Sequence, residues 1–227
     1  MRVVEVMKLK VLGCSGGIGG SQSRTTSFLV DDDILLDCGT GVGDLPLEVL
    51  KGVDHVFLTH AHLDHIAALP LMIDSVGELR DAPVTIHATP ETIRILHSHI
   101  FNWLIWPDFS AIPDHARPFM RFQPMNVGER VDLDGRGITA LPARHTVPAV
   151  AYCLDSGAGQ LVFSGDTAYC AELVTRINAC PALRHLILET AFAEEQQGLA
   201  VASRHLCPSM SRTLLDEIRG TPAVHIS

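Results

Sequence analysis

The stretch Thr59-His60-Ala61-His62-Leu63-Asp64-His65 places three imidazoles and a carboxylate within six residues, and no other feature restricts the fold as much. Residues 55–59 read as a buried strand and 63–76 as a helix, so the cluster sits where a strand gives way to a helix. His60 and His62 are two apart; in extended backbone they point the same way and can grip one ion. Asp64 and His65 come where the chain turns into the helix and can face a second ion. Imidazole with carboxylate suits borderline divalent metals such as zinc. Without a metal these groups would be costly to bury, and the alternative is a solvated histidine-rich turn.

The surrounding pattern divides into two similar halves. Strands are expected over 3–12, 27–30 and 34–37, the last two forming a hairpin around Asp31-Asp32-Asp33. A short helix follows over 45–51, then the strand and helix that flank the cluster, strand 84–88 and helix 90–101. Residues 102–123 break the rhythm, with Trp103, Trp106, Phe109, Phe119 and Phe122 among several prolines, and read as an irregular insertion over a site. Strands at 127–133, 138–141, 149–155 and 160–164, helix 171–179, strand 186–189 and helix 209–219 complete the chain. Strands then helices, twice over, predict an α+β fold of two αβ halves packed sheet to sheet. The glycine-rich stretch 13–20 lacks the Gly-Lys-Ser/Thr ending of a phosphate loop and no helical pattern follows, so it reads as a mobile loop near a site.

Composition narrows the partners. The length of 227 residues fits one domain spanning 1–227, and 47% hydrophobic with 19% charged residues is ordinary for a globular protein. The formal net charge of -9 argues against a long nucleic acid, which needs Lys and Arg to neutralise phosphates. A small phosphate ligand remains open, because bound metal supplies local positive charge. The six cysteines form no Cys-x-x-Cys pair and are expected to be reduced and mostly buried. The first residues carry Arg2, Glu5, Lys8 and Lys10 rather than a signal peptide's apolar stretch, and no apolar run approaches a membrane span, so a cytoplasmic protein with no membrane partner is expected.

Two further ligands are expected at distant strand ends. His145 follows the strand ending at Leu141, and Asp166 follows the strand ending at Ser164, with Gly165 permitting close backbone approach. His-Ala-His-Leu-Asp-His, then a lone His, then Ser-Gly-Asp-Thr, resembles the motif series of the metallo-β-lactamase superfamily over essentially the whole chain. The resemblance implies a four-layer αββα sandwich and two divalent ions, zinc first, with manganese or iron also accepting such ligands. It implies that His60, His62 and His145 bind the first ion, that Asp64 and His65 bind the second, and that Asp166 bridges both. Asp37 resembles the acidic residue after the family's second hairpin strand and is expected to orient a ligand histidine, with capping of its own turn as the alternative.

A narrower resemblance concerns substrate. His62-Leu63-Asp64-His65-Ile66, and the stretch His99-Ile100-Phe101-Asn102-Trp103-Leu104-Ile105-Trp106-Pro107, are similar to class II cyclic-nucleotide phosphodiesterases. This resemblance implies hydrolysis of 3′,5′-cyclic nucleotides to nucleoside monophosphates. It makes Phe101, Asn102, Trp103 and Trp106 a wall of the nucleotide pocket, inside an insertion at about 99–123; the alternative is an insertion that only packs. His205, in Ser203-Arg204-His205-Leu206, is implied to approach the scissile phosphate and, with Asp64, to take part in catalysis. The family ends in a strand running into Thr/Ser-His, whose His is a ligand. Here the chain stops at Ala223-Val224-His225-Ile226-Ser227, so it is expected to be truncated just before that ligand, leaving the second metal site incomplete. Competing expectations are a tRNA 3′-processing endoribonuclease, a thioester, lactone or β-lactam hydrolase, and a metal-binding scaffold without catalysis. The apolar insertion can also seal a homodimer.

Overall fold

The structure, a computed structural model, describes residues 7–20 and 23–227. The described residues fall into two compact units, Met7–Pro124 and Met125–Ser227.

In the first unit, β1 (Leu9–Gly13), β2 (Ser27–Val30) and β3 (Ile34–Leu36) form an antiparallel meander. Asp31 turns the β2–β3 hairpin with φ +50 and accepts the Lys8 N–H at 2.8 Å, so the turn is also tied to the chain entering β1. The strand expected over 3–12 is thus observed at Leu9–Gly13, with residues 3–6 outside the described ones. From β3 onward the sheet is parallel: β4 (His55–Phe57), β5 (Val84–Ala88) and β6 (Met120–Pro124) follow in order. Each crossover carries helix: α1 (Leu47–Gly52), then α2 (Leu63–Ile66) with α3 (Leu69–Val76), then α4 (Pro90–His99). Val56, Leu58, Val84 and Ile86 meet Leu69, Met72, Ile73 and Val76 of α3 in one core, each fully buried apolar side chain contributing roughly 1.5–3 kcal/mol.

The single helix expected over 63–76 is two helices. Pro70 is the second residue of α3; it has no N–H to give the Ile66 carbonyl, and its ring would collide with that carbonyl in a continuous helix. The break leaves α2 a single turn carrying Asp64 and His65. The glycine-rich stretch 13–20 leads through bridges Ser15↔Thr25 and Gly19↔Ser23 into a strand, not a helix.

In the second unit, β7 (Arg130–Leu133), β8 (Arg136–Pro142), β9 (Val150–Asp155) and β10 (Gln160–Phe163) are antiparallel neighbours. β11 (Leu183–Leu188) and β12 (Ala223–Ile226) then add in parallel, giving the order β12-β11-β10-β9-β8-β7. α5 (Ala171–Asn178) buries Leu173, Val174 and Ile177 against Ala151, Cys153, Val162 and Leu186. α6 (Gln197–Ser203), which no sequence pattern announced, and α7 (Pro208–Asp216) connect β11 to β12.

Candidate functional site

The motif of the first unit lies just beyond β4. His60 and His62 stand edge to face with ring centroids 4.7 Å apart, and the His65 ring is 4.2 Å from His60. Asp64 sets an Oδ2 3.7 Å from His65 Nε2 and is one-third exposed. Beneath them Asp37, fully buried with φ +55, follows β3. Its carboxylate accepts from the Thr59 backbone N–H at 2.7 Å, from the Thr59 hydroxyl at 2.8 Å and from His65 Nδ1 at 2.7 Å. The Thr59 hydroxyl spends its proton on Asp37, so it accepts from His60 Nδ1, 3.0 Å away. One buried carboxylate thus engages two imidazoles at Nδ1, His65 directly and His60 through Thr59. Burial pushes the Asp37 carboxyl above its ordinary value, and His65 and the Thr59 donors pull it back. The loop is locked by Cys38 N–H to the His65 carbonyl at 2.7 Å and Ala68 N–H to the Cys38 carbonyl at 2.9 Å. Gly39 has no room for a side chain, since a Cβ there would meet Thr25 Oγ1 and the Thr26 and Asp64 carbonyls at 2.5–2.6 Å.

The second unit carries a matching group. His145 follows β8, and its Nδ1 donates to the Arg204 carbonyl at 3.1 Å, an atom that can only accept. Arg204 closes α6 in the left-handed region, φ +57, and its guanidinium donates back to the His145 carbonyl at 2.7 Å. Gly165, φ +56, makes the turn after β10 that delivers Asp166. His145 Nε2 and His205 Nε2 lie 3.8 and 3.9 Å from Asp166 Oδ2. His205 Nδ1 meets Glu189 Oε1 at 2.9 Å. Glu189, at the end of β11, also accepts from the backbone N–H groups of Thr167, Ala191 and Leu206 at 3.0–3.2 Å. Asp166, Glu189 and His205 offer ligand atoms within 4.8 Å of one another. Sequence reasoning missed Glu189. Its signal was a carboxylate closing the apolar run Leu186-Ile187-Leu188, which burial would penalise unless several donors met it.

The insertion corrects part of the sequence reading. Phe101 is 2% exposed and packs in the core with its ring 6.4 Å from Phe109 and 6.2 Å from Phe122, so it is a packing residue, not a wall for substrate. The Asn102 side chain is spent on its own loop, accepting from the Leu104 and Ile105 N–H groups and donating to the Ser98 carbonyl. Trp106 packs on the same core with its buried Nε1 unpartnered. Trp103, at φ +65 and 62% exposed, leaves its ring available at the surface. His225 pairs with His185 across β11 and β12, Nε2 to Nδ1 at 3.2 Å.

The family model described as Beta-lactamase superfamily domain matches residues 32–225. The chain is 28% identical over 134 residues to a probable 3′,5′-cyclic-nucleotide phosphodiesterase of Yersinia pestis, covering 47% of this chain and 37% of that protein. It is 27% identical over 157 residues to a ribonuclease Z of Halorubrum lacusprofundi, covering 66% of this chain and 47% of that protein. The chain thus spans less than half the length of these curated relatives. Among solved structures it resembles unliganded yeast PDE1 with a TM-score of 0.78 at 19% identity, over 93% of this chain and 82% of that one. No helix among the described residues is long and apolar enough to cross a membrane.

Proposed function

Because this chain belongs to the β-lactamase superfamily domain family and has the metallo-β-lactamase fold, we propose that it is a dinuclear metal-dependent phosphodiesterase that hydrolyses 3′,5′-cyclic nucleotides. One observation carries the reading. His60, His65, His145 and His205 each have Nδ1 engaged by a placed acceptor, so each offers Nε2. For His60, His65 and His145 that is how a protein prepares imidazoles for metal, and the neutral-imidazole and carboxylate donor set fits zinc, manganese or iron.

The proposed ligands are His60, His62, Asp64 and His65 from the first unit and His145 and Asp166 from the second. Bound there, the ions supply Lewis-acid polarisation of the phosphoryl group and a nucleophile near neutral pH. The chain's own groups do the rest. Asp37, through Thr59 and directly, keeps His60 and His65 in one tautomer. Asp64, the partly exposed carboxylate of the motif, accepts the proton of the attacking water. Glu189 holds His205 Nδ1–H and stabilises the imidazolium, so that Nε2 carries a proton to the departing ribose oxygen. Trp103 offers a face for a base.

Likeness to proteins named cyclic-nucleotide phosphodiesterases supports the substrate class. A ribonuclease Z-like activity on precursor tRNA is the second reading, favoured by the 60–66% of this chain that matches proteins of that name. The net charge of -9 weighs against it. Metal-loaded protein is assayed on cAMP, cGMP, bis(p-nitrophenyl) phosphate and precursor tRNA. Turnover of cyclic nucleotides is the expected result. Turnover of the nitrophenyl ester or the tRNA without either cyclic nucleotide overturns the substrate assignment.

A further inference from the structure

We propose that Cys153 and Cys180 are a redox-sensitive pair, closing to a disulfide when the protein meets a peroxide and reopening with a dithiol reductant. Their Sγ atoms are 3.7 Å apart, already in contact, and among the described residues no other two thiols hydrogen-bond. Both backbones are anchored. Cys153 lies within β9, paired to Thr139 of β8 and Val162 of β10. Cys180 follows α5, with its N–H on the Ile177 carbonyl at 3.0 Å. Closing the bond therefore asks for sulfur movement of under about 2 Å, within reach of side-chain rotation.

The two sulfurs differ as an attacking and a resolving thiol must. Cys180 is partly exposed and reachable from solvent, whereas Cys153 is buried. The Cys153 thiol, by hydrogen bonding, holds Cys180 below the ordinary thiol range, while the same bond and burial push Cys153 up. The Cys180 thiolate attacks one peroxide oxygen; an S–O bond forms to give the sulfenic acid, the O–O bond breaks, and the second oxygen leaves as hydroxide, which takes up the proton the thiol had released and becomes water. The Cys153 sulfur then attacks the sulfenic sulfur; the S–S bond forms and hydroxide departs with the Cys153 proton as water. The sulfurs lose two electrons, which the peroxide gains. The product closes a loop across 27 positions and staples α5 to β9.

The test needs no enzymatic assay and so stands apart from the proposed function. The protein is treated with one equivalent of hydrogen peroxide, alkylated, and mapped by non-reducing peptide mass spectrometry. The expected first product is a linked peptide pair containing Cys153 and Cys180, reversed by dithiothreitol. A rise in melting temperature of roughly 5–10 °C accompanies it. Cys180→Ser shows neither, and Cys153 in that variant stays reduced. Oxidation of exposed Cys14 ahead of the pair, or Cys180 advancing to sulfinic acid without the link, overturns the proposal.

Discussion

Replacing Asp37 by Asn tests the buried hub with almost no change of shape. The carboxylate serves the Thr59 N–H, the Thr59 hydroxyl and His65 Nδ1–H on two oxygens. An Asn keeps one acceptor and turns the other into a donor. If its oxygen faces Thr59, the amide N–H₂ confronts His65 Nδ1–H. The imidazole can escape only by moving its proton to Nε2, the atom proposed for the ion. If the oxygen faces His65, the Thr59 donors lose their partner inside the protein. Bonds to a charged acceptor contribute about 1.5–3 kcal/mol each and a stranded buried donor costs about 1–3 kcal/mol. Asp37→Asn is therefore expected to lose about 1–3 kcal/mol of folding stability and to weaken metal binding about 10–100-fold. Urea unfolding of metal-free protein gives the first number, and competition with a chromophoric chelator gives the second. Metal affinity within twofold of wild type would refute the claim that Asp37 sets the imidazole tautomers.

Acid is expected to destabilise the fold through His87, whose ring stacks on Phe57 with centroids 4.2 Å apart and whose pKa burial lowers from 6.5 to about 4. A lowered folded-state pKa means that the unfolded chain takes the proton first, so this contribution is complete above pH 6.5 and declines as pH falls toward 4. The loss reaches about 3 kcal/mol, and urea melts at pH 7 and pH 4.5 should show His87→Leu losing less than wild type between them. Glu189→Gln keeps the size of the side chain but removes the charge that stabilises protonated His205. Its kcat on the activated nitrophenyl ester should fall less than on a cyclic nucleotide with a poorer leaving group, and the alkaline limb of its pH–rate profile should shift downward; equal losses on both substrates with an unmoved profile would leave Glu189 a purely structural role. Phe101→Ala should cost about 3–5 kcal/mol of stability as a cavity mutant, whereas Trp103→Ala should leave stability within about 0.5 kcal/mol and raise KM for a cyclic nucleotide. An unchanged KM in Trp103→Ala would remove that ring from substrate binding.

What was legible in the sequence was what recurs locally along the chain. β2, β3, β5, β9 and β10 stand within a residue or so of their expected bounds, because short runs such as Val-Thr-Ile-His-Ala carry their own strand signal. The Asp31-Asp32-Asp33 turn was readable from residues that tolerate positive φ. The failures have local causes too. Pro70 divides a helix whose apolar period runs on through it. β6 alternates Met120-Arg121-Phe122-Gln123, but its first four residues lie inside the stretch that reads as an aromatic-rich insertion, and it ends in Pro124. α6 begins Gln-Gly and is only seven residues long. Phe101 reads as a pocket residue only through the resemblance of its stretch to the phosphodiesterases, and an aromatic there looks the same in sequence whether it packs or projects.

The candidate site divides along the same line. Its proposed ligands are side chains, four of them within six residues, and their chemistry is visible in the letters. What orients them is largely invisible there. His145 depends on a backbone carbonyl, that of Arg204, 59 positions away, and any residue type supplies such an acceptor. What that position does demand is the left-handed turn that ends α6 and aims the carbonyl, a conformation the sequence does not advertise at an Arg. Glu189 is a side chain, but its role comes from three backbone N–H groups converging on it from residues 167, 191 and 206, which only the folded chain gathers. An imidazole can be read as a candidate ligand from its neighbours in sequence; which nitrogen it presents is decided by partners far along the chain.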